Sequence, residues 1–116
     1  FEYLCENVRL NGVEDVVLPI AGDCLEVAPE GIATRIVMGF LRGGDIYLPK
    51  AMKVVGEEGI IHYHETCPNE LLPDRPISTV VKAARLVGRE VEVLKHSTVK
   101  SYAPGISHIV LDIQVR

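Results

Sequence analysis

Two hydrophobic periodicities take turns along this chain, and that alternation restricts the fold more than any other feature. Short apolar runs of strand length occupy residues 16–20, 36–38 and 59–64. Around them, apolar residues recur at the three- and four-residue spacing of a helix face. Phe1, Leu4, Cys5 and Val8 form the first face, and Asn11-Gly12 supplies a left-handed stop after it. Tyr47, Leu48, Ala51, Met52 and Val55 form the second, over residues 46–55, with Asp45 placed to cap it and Pro49 tolerated near its first turn. Ile77, Val80, Val81, Ala84 and Val87 form the third, entered through Pro73-Asp74-Arg75-Pro76 and ended by Gly88. Two extended stretches close the chain. Residues 90–102 are interrupted around His96-Ser97, and Ile109, Leu111, Ile113 and Val115 then alternate with polar residues. Only Ala103-Pro104-Gly105 separates these stretches, so they pair as an antiparallel hairpin.

The expected order is helix, strand, strand, helix, strand, helix, strand, strand. Strands separated by helices pair in parallel under a helical layer, which gives an α/β fold with a mostly parallel sheet and a C-terminal antiparallel hairpin. Pro19 cannot donate to a ladder, so the strand over 16–20 lies at an edge or ends near that point.

With 116 residues the chain forms one domain at most, and its 47% apolar content is enough to close a core. No apolar run reaches the roughly 18 residues that span a bilayer, so no membrane role is expected. The opening Phe1-Glu2-Tyr3-Leu4 lacks both an initiator Met and a signal-peptide pattern, and reads as the interior of a longer chain. Cys5, Cys24 and Cys67 are odd in number and widely spaced, which suits free, packed thiols in a reducing, cytoplasmic setting. The net charge is −4 and the pI about 5.5, so the basic stripe of a nucleic-acid binder is missing from the segment as a whole. Phosphate contacts would come mostly from elsewhere in the full chain.

In an open α/β sheet, ligands bind beyond the carboxyl ends of the parallel strands. Those ends carry Gly22-Asp23-Cys24, Met38-Gly39-Phe40 and His64-Glu65. Asp23 can accept a hydrogen bond from a purine amino group, or form a turn or cap a helix. His62 and His64 share one face of their strand, and Glu65 and Cys67 follow at once, an assortment that suits zinc or iron. The other readings are a substrate-facing histidine and ordinary packing. Lys82, Arg85 and Arg89 read as a solvated helix face. Lys95, His96, Lys100 and Tyr102 form a small basic and aromatic patch able to touch a phosphate backbone.

Five strings, in this order and spacing, resemble one family: Tyr3-Leu4-Cys5-Glu6-Asn7, Gly22-Asp23, Arg35-Ile36-Val37-Met38-Gly39-Phe40, Ile60-Ile61-His62-Tyr63-His64-Glu65 and Val99-Lys100-Ser101-Tyr102-Ala103-Pro104-Gly105. They look like the archaeal-type wybutosine-pathway tRNA aminocarboxypropyltransferases. Those are sisters of the tRNA guanine-N1 methyltransferases that act on the guanosine following the anticodon. The resemblance implies a class I S-adenosylmethionine-dependent methyltransferase-like Rossmann fold with strand order 3-2-1-4-5-7-6. On that map the chain begins in the helix before strand 3, so the fold is incomplete and the first strands are missing. Residues 1–116 are then the C-terminal part of the domain.

The resemblance places Asp23 and the Cys24 backbone against the adenine of the cofactor, and Met38, Gly39 and Phe40 beside the reacting carbon. It sets His62-Tyr63-His64 toward the active-site cleft, with His62, His64 and Lys100 as substrate-facing candidates. It leaves the catalytic residues unassigned. The sister methyltransferases begin the strand-4 tripeptide with Asn and include Pro; Met38 offers no amide in that place. The implied reaction moves the 3-amino-3-carboxypropyl group of S-adenosylmethionine to a wyosine precursor in tRNA. It needs no metal, because the sulfonium is already an activated leaving group. The rival readings are guanine-N1 methylation, a non-catalytic domain of the same fold, and a metal enzyme built on His62, His64 and Cys67.

Overall fold

The computed structural model describes residues 1–116. Helix α1 spans Glu2–Leu10 and the single-turn α2 Cys24–Val27; strand β1 follows at Ala33–Met38. A 3-10 turn over Gly44–Tyr47 leads into α3, Leu48–Val54, which passes directly into β2, Val55–Pro68. Helix α4 spans Asp74–Val87, and β3, Val91–Ala103, and β4, Ile106–Val115, form the closing hairpin. No helix is long and apolar enough to cross a membrane.

The four strands form one sheet in the order β1-β2-β4-β3. This is the 4-5-7-6 half of the order that the family resemblance implies. The parallel part is the single pair β1–β2, with Ile36 opposite Ile61 and Met38 opposite Tyr63. Strand β4 pairs antiparallel with β2 on one side and β3 on the other, so the hairpin joins the sheet through its second strand. Gly59 makes the β1–β2 approach possible: a Cβ there would stand 2.7 Å from the Thr34 carbonyl oxygen, beside the irregularity between Ala33 and Arg35.

Side chains alternate strictly along β2 and β4, which gives the sheet two unlike faces. Ile61 and Tyr63 of β2 and Ile109, Leu111, Ile113 and Val115 of β4 point to the face covered by α3 and α4. There they meet Leu48, Ala51 and Met52 of α3 and Val80, Ala83 and Ala84 of α4. Each fully buried aliphatic side chain contributes about 1.5–3 kcal/mol, so this layer is the main source of stability. The opposite face carries His62, His64, His108, Val110 and Asp112, all half-buried.

Several sequence expectations change. Residues 16–20 form no strand; Val16 and Leu18 are both 81% exposed. An extended apolar run becomes a strand only beside a partner, and none of the four strands flanks it. Pro19 also removes one donor. Asp45 does not cap the second helix: it lies inside the 3-10 turn, and α3 starts at Leu48 with Pro49 in its first turn. Strand β2 begins at Val55, four residues before the apolar run. Strand β3 passes unbroken through His96-Ser97, absorbing the misfit as register irregularities such as that between Val93 and Lys95. Of the three thiols only Cys67 is buried; Cys24 is exposed.

Arg89 is the largest correction. It lies beyond Gly88, which ends α4 in a left-handed conformation with φ 68°, so its side chain leaves the helix face altogether. Its Nε donates to the Arg116 carbonyl at 3.0 Å, and its Nη1 to those of Met52 and Val55 at 3.1 and 3.2 Å. Its Nη2 donates to the carbonyls of Gly56 and Glu57 at 2.7 and 3.2 Å. One guanidinium thus joins the end of α3, the start of β2 and the end of the chain.

Candidate functional site

Two clefts open beyond the carboxyl ends of β1 and β2. The first, of about 430 Å³, lies between α2, the end of β1 and α3. Cys24, Met38, Gly39, Phe40 and Tyr47 line it, and apart from Lys50 its main contributors are apolar. Lys50 is turned to Glu30 at 3.0 Å, and this pairing holds the Glu30 carboxyl below its ordinary range. The wall arises from local sequence: Met38 is packed on the core edge, and Gly39 leaves open space where a Cβ would stand. Phe40 meets Tyr47 edge-to-face at 6.2 Å between ring centres.

Asp23 stands one residue before Cys24. Its Oδ1 accepts from Leu25 N at 2.9 Å, so it caps α2 and holds Cys24 at the cleft wall. Capping uses one carboxylate oxygen and leaves Oδ2 able to accept from a ligand. Cofactor candidates Cys24, Met38, Gly39 and Phe40 are thus brought together, with Asp23 beside them.

The second cleft, of about 590 Å³, is polar. Arg42 and Asp45 reach it from the β1–α3 segment, Glu65 and Thr66 from the end of β2, Arg75 from α4 and Tyr102 from the hairpin. Phe40 lines the first cleft and Leu41 the second, so the two adjoin across one peptide bond. Thr66 N donates to Leu41 O at 3.1 Å and fixes that junction to β2. The hairpin is fixed too: Asn69 N donates to Gly105 O at 2.9 Å, and Ser107 Oγ donates to Asn69 Oδ1.

Glu65 is the unusual group. It is 9% exposed, and its Oε1 is buried without a hydrogen-bond partner. Its Oε2 accepts a long bond, 3.4 Å, from Tyr63 Oη. Burial raises the Glu65 carboxyl above its ordinary value, Arg75 opposes the rise and Asp45 adds to it. Burial likewise raises the Tyr63 phenol, with Glu65 adding, and the Cys67 thiol.

The histidines lie elsewhere. His62 is held on both ring nitrogens, by Arg35 Nη1 at 2.6 Å on Nε2 and by Asp112 Oδ1 at 2.7 Å on Nδ1. Arginine can only donate, so Nε2 accepts and Nδ1–H donates to Asp112. His64 Nδ1 lies 2.9 Å from His108 Nε2; burial, followed by the charges of His108 and His62, lowers its pKa. Lys100 is exposed on β3 opposite His108. His62, His64 and Lys100 line neither cleft. The metal reading fails on geometry: Cys67 points to the helix-covered face and the two histidines to the other, and no group of three such ligands converges. The sequence names Glu65 at a ligand-binding strand end and as a metal-ligand type, but assigns no site role to Asp45 or Arg75. The available signal was one acid within the buried series Ile61, Tyr63, Glu65, Cys67.

A β1-β2-β4-β3 sheet backed by helices, with an apolar and a polar cleft at its carboxyl edge, defines part of an S-adenosylmethionine-dependent methyltransferase-type Rossmann fold. The family model described as the TRM5/TYW2 methyltransferase domain matches residues 1–94, and the chain belongs to that family. It is 39% identical over 115 residues to tRNA(Phe) (4-demethylwyosine(37)-C(7)) aminocarboxypropyltransferase of Pyrococcus horikoshii, covering 99% of this chain and 41% of that protein. The crystal structure of Methanocaldococcus jannaschii TYW2 in complex with AdoMet superposes with a TM-score of 0.93 at 33% identity, covering 99% of this chain and 52% of that one. The sister branch is also represented. The tRNA (guanine(37)-N(1))-methyltransferase Trm5b of Pyrococcus abyssi is 33% identical over 114 residues, covering 98% of this chain and 31% of that protein. The chain therefore spans less than half the length of these curated relatives.

Proposed function

We propose that the full-length protein transfers the 3-amino-3-carboxypropyl group of S-adenosylmethionine to C7 of a wyosine-precursor base beside the anticodon of tRNA, and that residues 1–116 supply the C-terminal part of its transferase domain. The apolar cleft carries this reading. Its aromatic walls at Phe40 and Tyr47, the apolar Met38 beside them, its open floor at Gly39 and the Asp23 carboxylate beside Cys24 suit an adenine ring with an exocyclic amino group. Bound there, the cofactor supplies a sulfonium whose carbons are already activated toward a nucleophile.

The residues of this chain set position and surroundings. Cys24, Met38 and Phe40 hold the adenine out of water, and Asp23 accepts from its amino group. Arg42, Arg75 and Tyr102 around the polar cleft give phosphate and ring contacts to the acceptor nucleotide; Lys95 and Lys100, on the other face of the sheet, and His96 meet only more distant parts of the tRNA backbone. The free thiols fit the cytoplasmic location expected from the sequence.

Met38 argues for the aminocarboxypropyl carbon over the methyl. The methyl and the amino-acid chain are bonded to the same sulfur, so choice between them lies in positioning, where an error of about 1 Å can cost a hundredfold in rate. Met38 offers no strong donor or acceptor to turn a base toward the methyl, and Gly39 leaves room beside it. The test uses full-length protein, precursor tRNA and cofactor labelled separately in the methyl and the carboxyl group. Carboxyl label in the tRNA without methyl label is expected. Methyl label alone, with tRNA carrying unmodified guanosine at that position assayed beside the precursor tRNA, overturns the reading in favour of guanine-N1 methylation.

A further inference from the structure

Bond formation at an aromatic ring carbon is incomplete until that carbon loses its hydrogen. On the proposed reading, C7 of the acceptor bonds to the chain carbon next to sulfur, and the C–S electron pair leaves with sulfur as a neutral thioether. The acceptor is then cationic and must release the C7 hydrogen as a proton. Something in the polar cleft has to take it.

We infer that Glu65 is the proton acceptor of this reaction: the residue lines the polar cleft, and its carboxylate takes the C7 proton as the ring regains aromaticity. This assignment rests on the functional reading above. The carboxylate becomes a carboxylic acid, the product ring is neutral, and the proton passes to solvent once the product has left, so atoms and charge balance with no other reactant.

Three observations carry it. A buried carboxylate oxygen with no partner is costly, by about 1–3 kcal/mol, and is rarely kept without a use. Glu65 Oε1 is such an atom, in a residue 9% exposed, and the residue lines the cleft. Its position also fits: Glu65 stands at the carboxyl end of β2, and the cleft it lines adjoins the apolar one where Phe40 gives way to Leu41. Finally, its surroundings leave it able to hold a proton. Burial favours the neutral acid, which makes the carboxylate a stronger base than an exposed one.

The groups around it tune that basicity in known directions. Tyr63 and Cys67 come from its own strand, Arg42 and Asp45 from the β1–α3 segment, Arg75 from α4 and Tyr102 from the hairpin. Of these, Arg75 favours the carboxylate and Asp45 disfavours it. His62 and His64 lie on the other face of the sheet, are bonded elsewhere and do not compete for the role.

The test measures kcat/KM against pH for carboxyl-label transfer in full-length wild type, Glu65→Gln and Arg75→Gln. It is paired with 13C NMR titration of the Glu65 carboxyl and with calorimetric affinity for 5′-methylthioadenosine. The wild-type rate should fall as pH drops through the Glu65 pKa measured by NMR, because the base form is required. Glu65→Gln should lose at least about a hundredfold in kcat/KM and lose the acidic limb, with nucleoside affinity unchanged. Arg75→Gln, lacking the opposing cation, should move both the limb and the NMR titration to higher pH together.

A Gln variant within about threefold of wild type, with the same profile, overturns the assignment while leaving aminocarboxypropyl transfer intact. Should Glu65→Gln fail to fold, an acidic limb that stays put in Arg75→Gln while the NMR titration moves overturns it equally. Methyl label without carboxyl label in the wild-type product overturns the functional reading and this assignment with it, because the aminocarboxypropyl–C7 bond whose formation releases the proton is then not made.

Discussion

Arg89 and Glu65 are ionisable side chains at opposite ends of β2, and they are satisfied to very different degrees. At the amino end of the strand, the Arg89 guanidinium donates to five carbonyls, including the end of α3 and the last residue of the chain. At the carboxyl end, Glu65 has one long bond to Tyr63 and one oxygen with none. The same strand and the same core serve both. The difference separates the end of the sheet that ties its elements together from the end that opens onto the two clefts. Strain and unsatisfied polarity accumulate where a ligand is to be met, and other interactions compensate for them.

That contrast can be broken most forcefully at Arg89. Arg89→Ala in the full-length protein should lower unfolding free energy by about 3 kcal/mol, since it orphans several part-buried carbonyls at once. Arg89→Lys should restore less than about half, because an ammonium has three donors and no planar fork. Denaturant unfolding of both variants checks this. Equal stability of Ala and wild type would show the clasp to be decoration.

Asp23 sharpens the other end. Asp23→Ala should weaken nucleoside binding by about 2 kcal/mol through loss of a charge-assisted hydrogen bond, and should also lose the α2 cap, worth about 1 kcal/mol. Asp23→Asn keeps a capping oxygen and separates the two effects. Titration calorimetry beside thermal melts should show Asn stable but weak in binding. An Asn variant that binds as wild type would leave Asp23 a cap only.

Glu65 should show the smallest effect on stability, and with the opposite sign. Its folded pKa is raised above the ordinary 4.5, so folding favours the protonated acid. That stabilisation is complete below about pH 4.5 and is lost as pH rises through the folded pKa. Glu65→Gln, fixed in a neutral form, should therefore be more stable than wild type at pH 7 by about 1 kcal/mol, and the advantage should vanish below pH 4.5. Melting curves at pH 4 and pH 7 decide it; a Gln variant that is less stable at neutral pH contradicts a cost of ionisation.

The helix-covered core was legible because its signal is periodic. Ile109, Leu111, Ile113 and Val115 alternate in sequence and are all buried, and Leu48, Ala51, Met52, Val80 and Ala84 fall on the helix faces expected of them. The strand over 16–20 was read from local composition, but strand formation depends on a neighbour that no local pattern reveals. Asp45 looked like a cap because capping is a sequence habit; whether the next turn winds as a 3-10 or an α-helix is decided by packing. Arg89 was misread for a related reason. Gly88 marks the helix end, and once the helix ends, helical spacing no longer says where the next side chain points. Of the site, the strand-end rule and the family resemblance located Asp23, Cys24, Met38, Gly39 and Phe40 around one cleft. The strand-end rule also reached His64-Glu65, but only the acid among alternating buried positions distinguishes Glu65 from the histidines beside it.

If the nucleoside of the cofactor sits in the apolar cleft at the carboxyl edge, Gly39 is the position where that cleft can be filled without disturbing the fold. A Cβ at Gly39 would meet nothing within 4 Å, and the residue lines the cleft. A larger side chain there should fill ligand space while leaving the core untouched. The measurement is the calorimetric affinity of full-length Gly39→Leu for 5′-methylthioadenosine, with its melting temperature recorded alongside. Binding should be weaker by at least about tenfold, some 1.4 kcal/mol, with an unchanged melting temperature. Wild-type affinity in a correctly folded Gly39→Leu protein would contradict this placement and move the nucleoside out of this cleft.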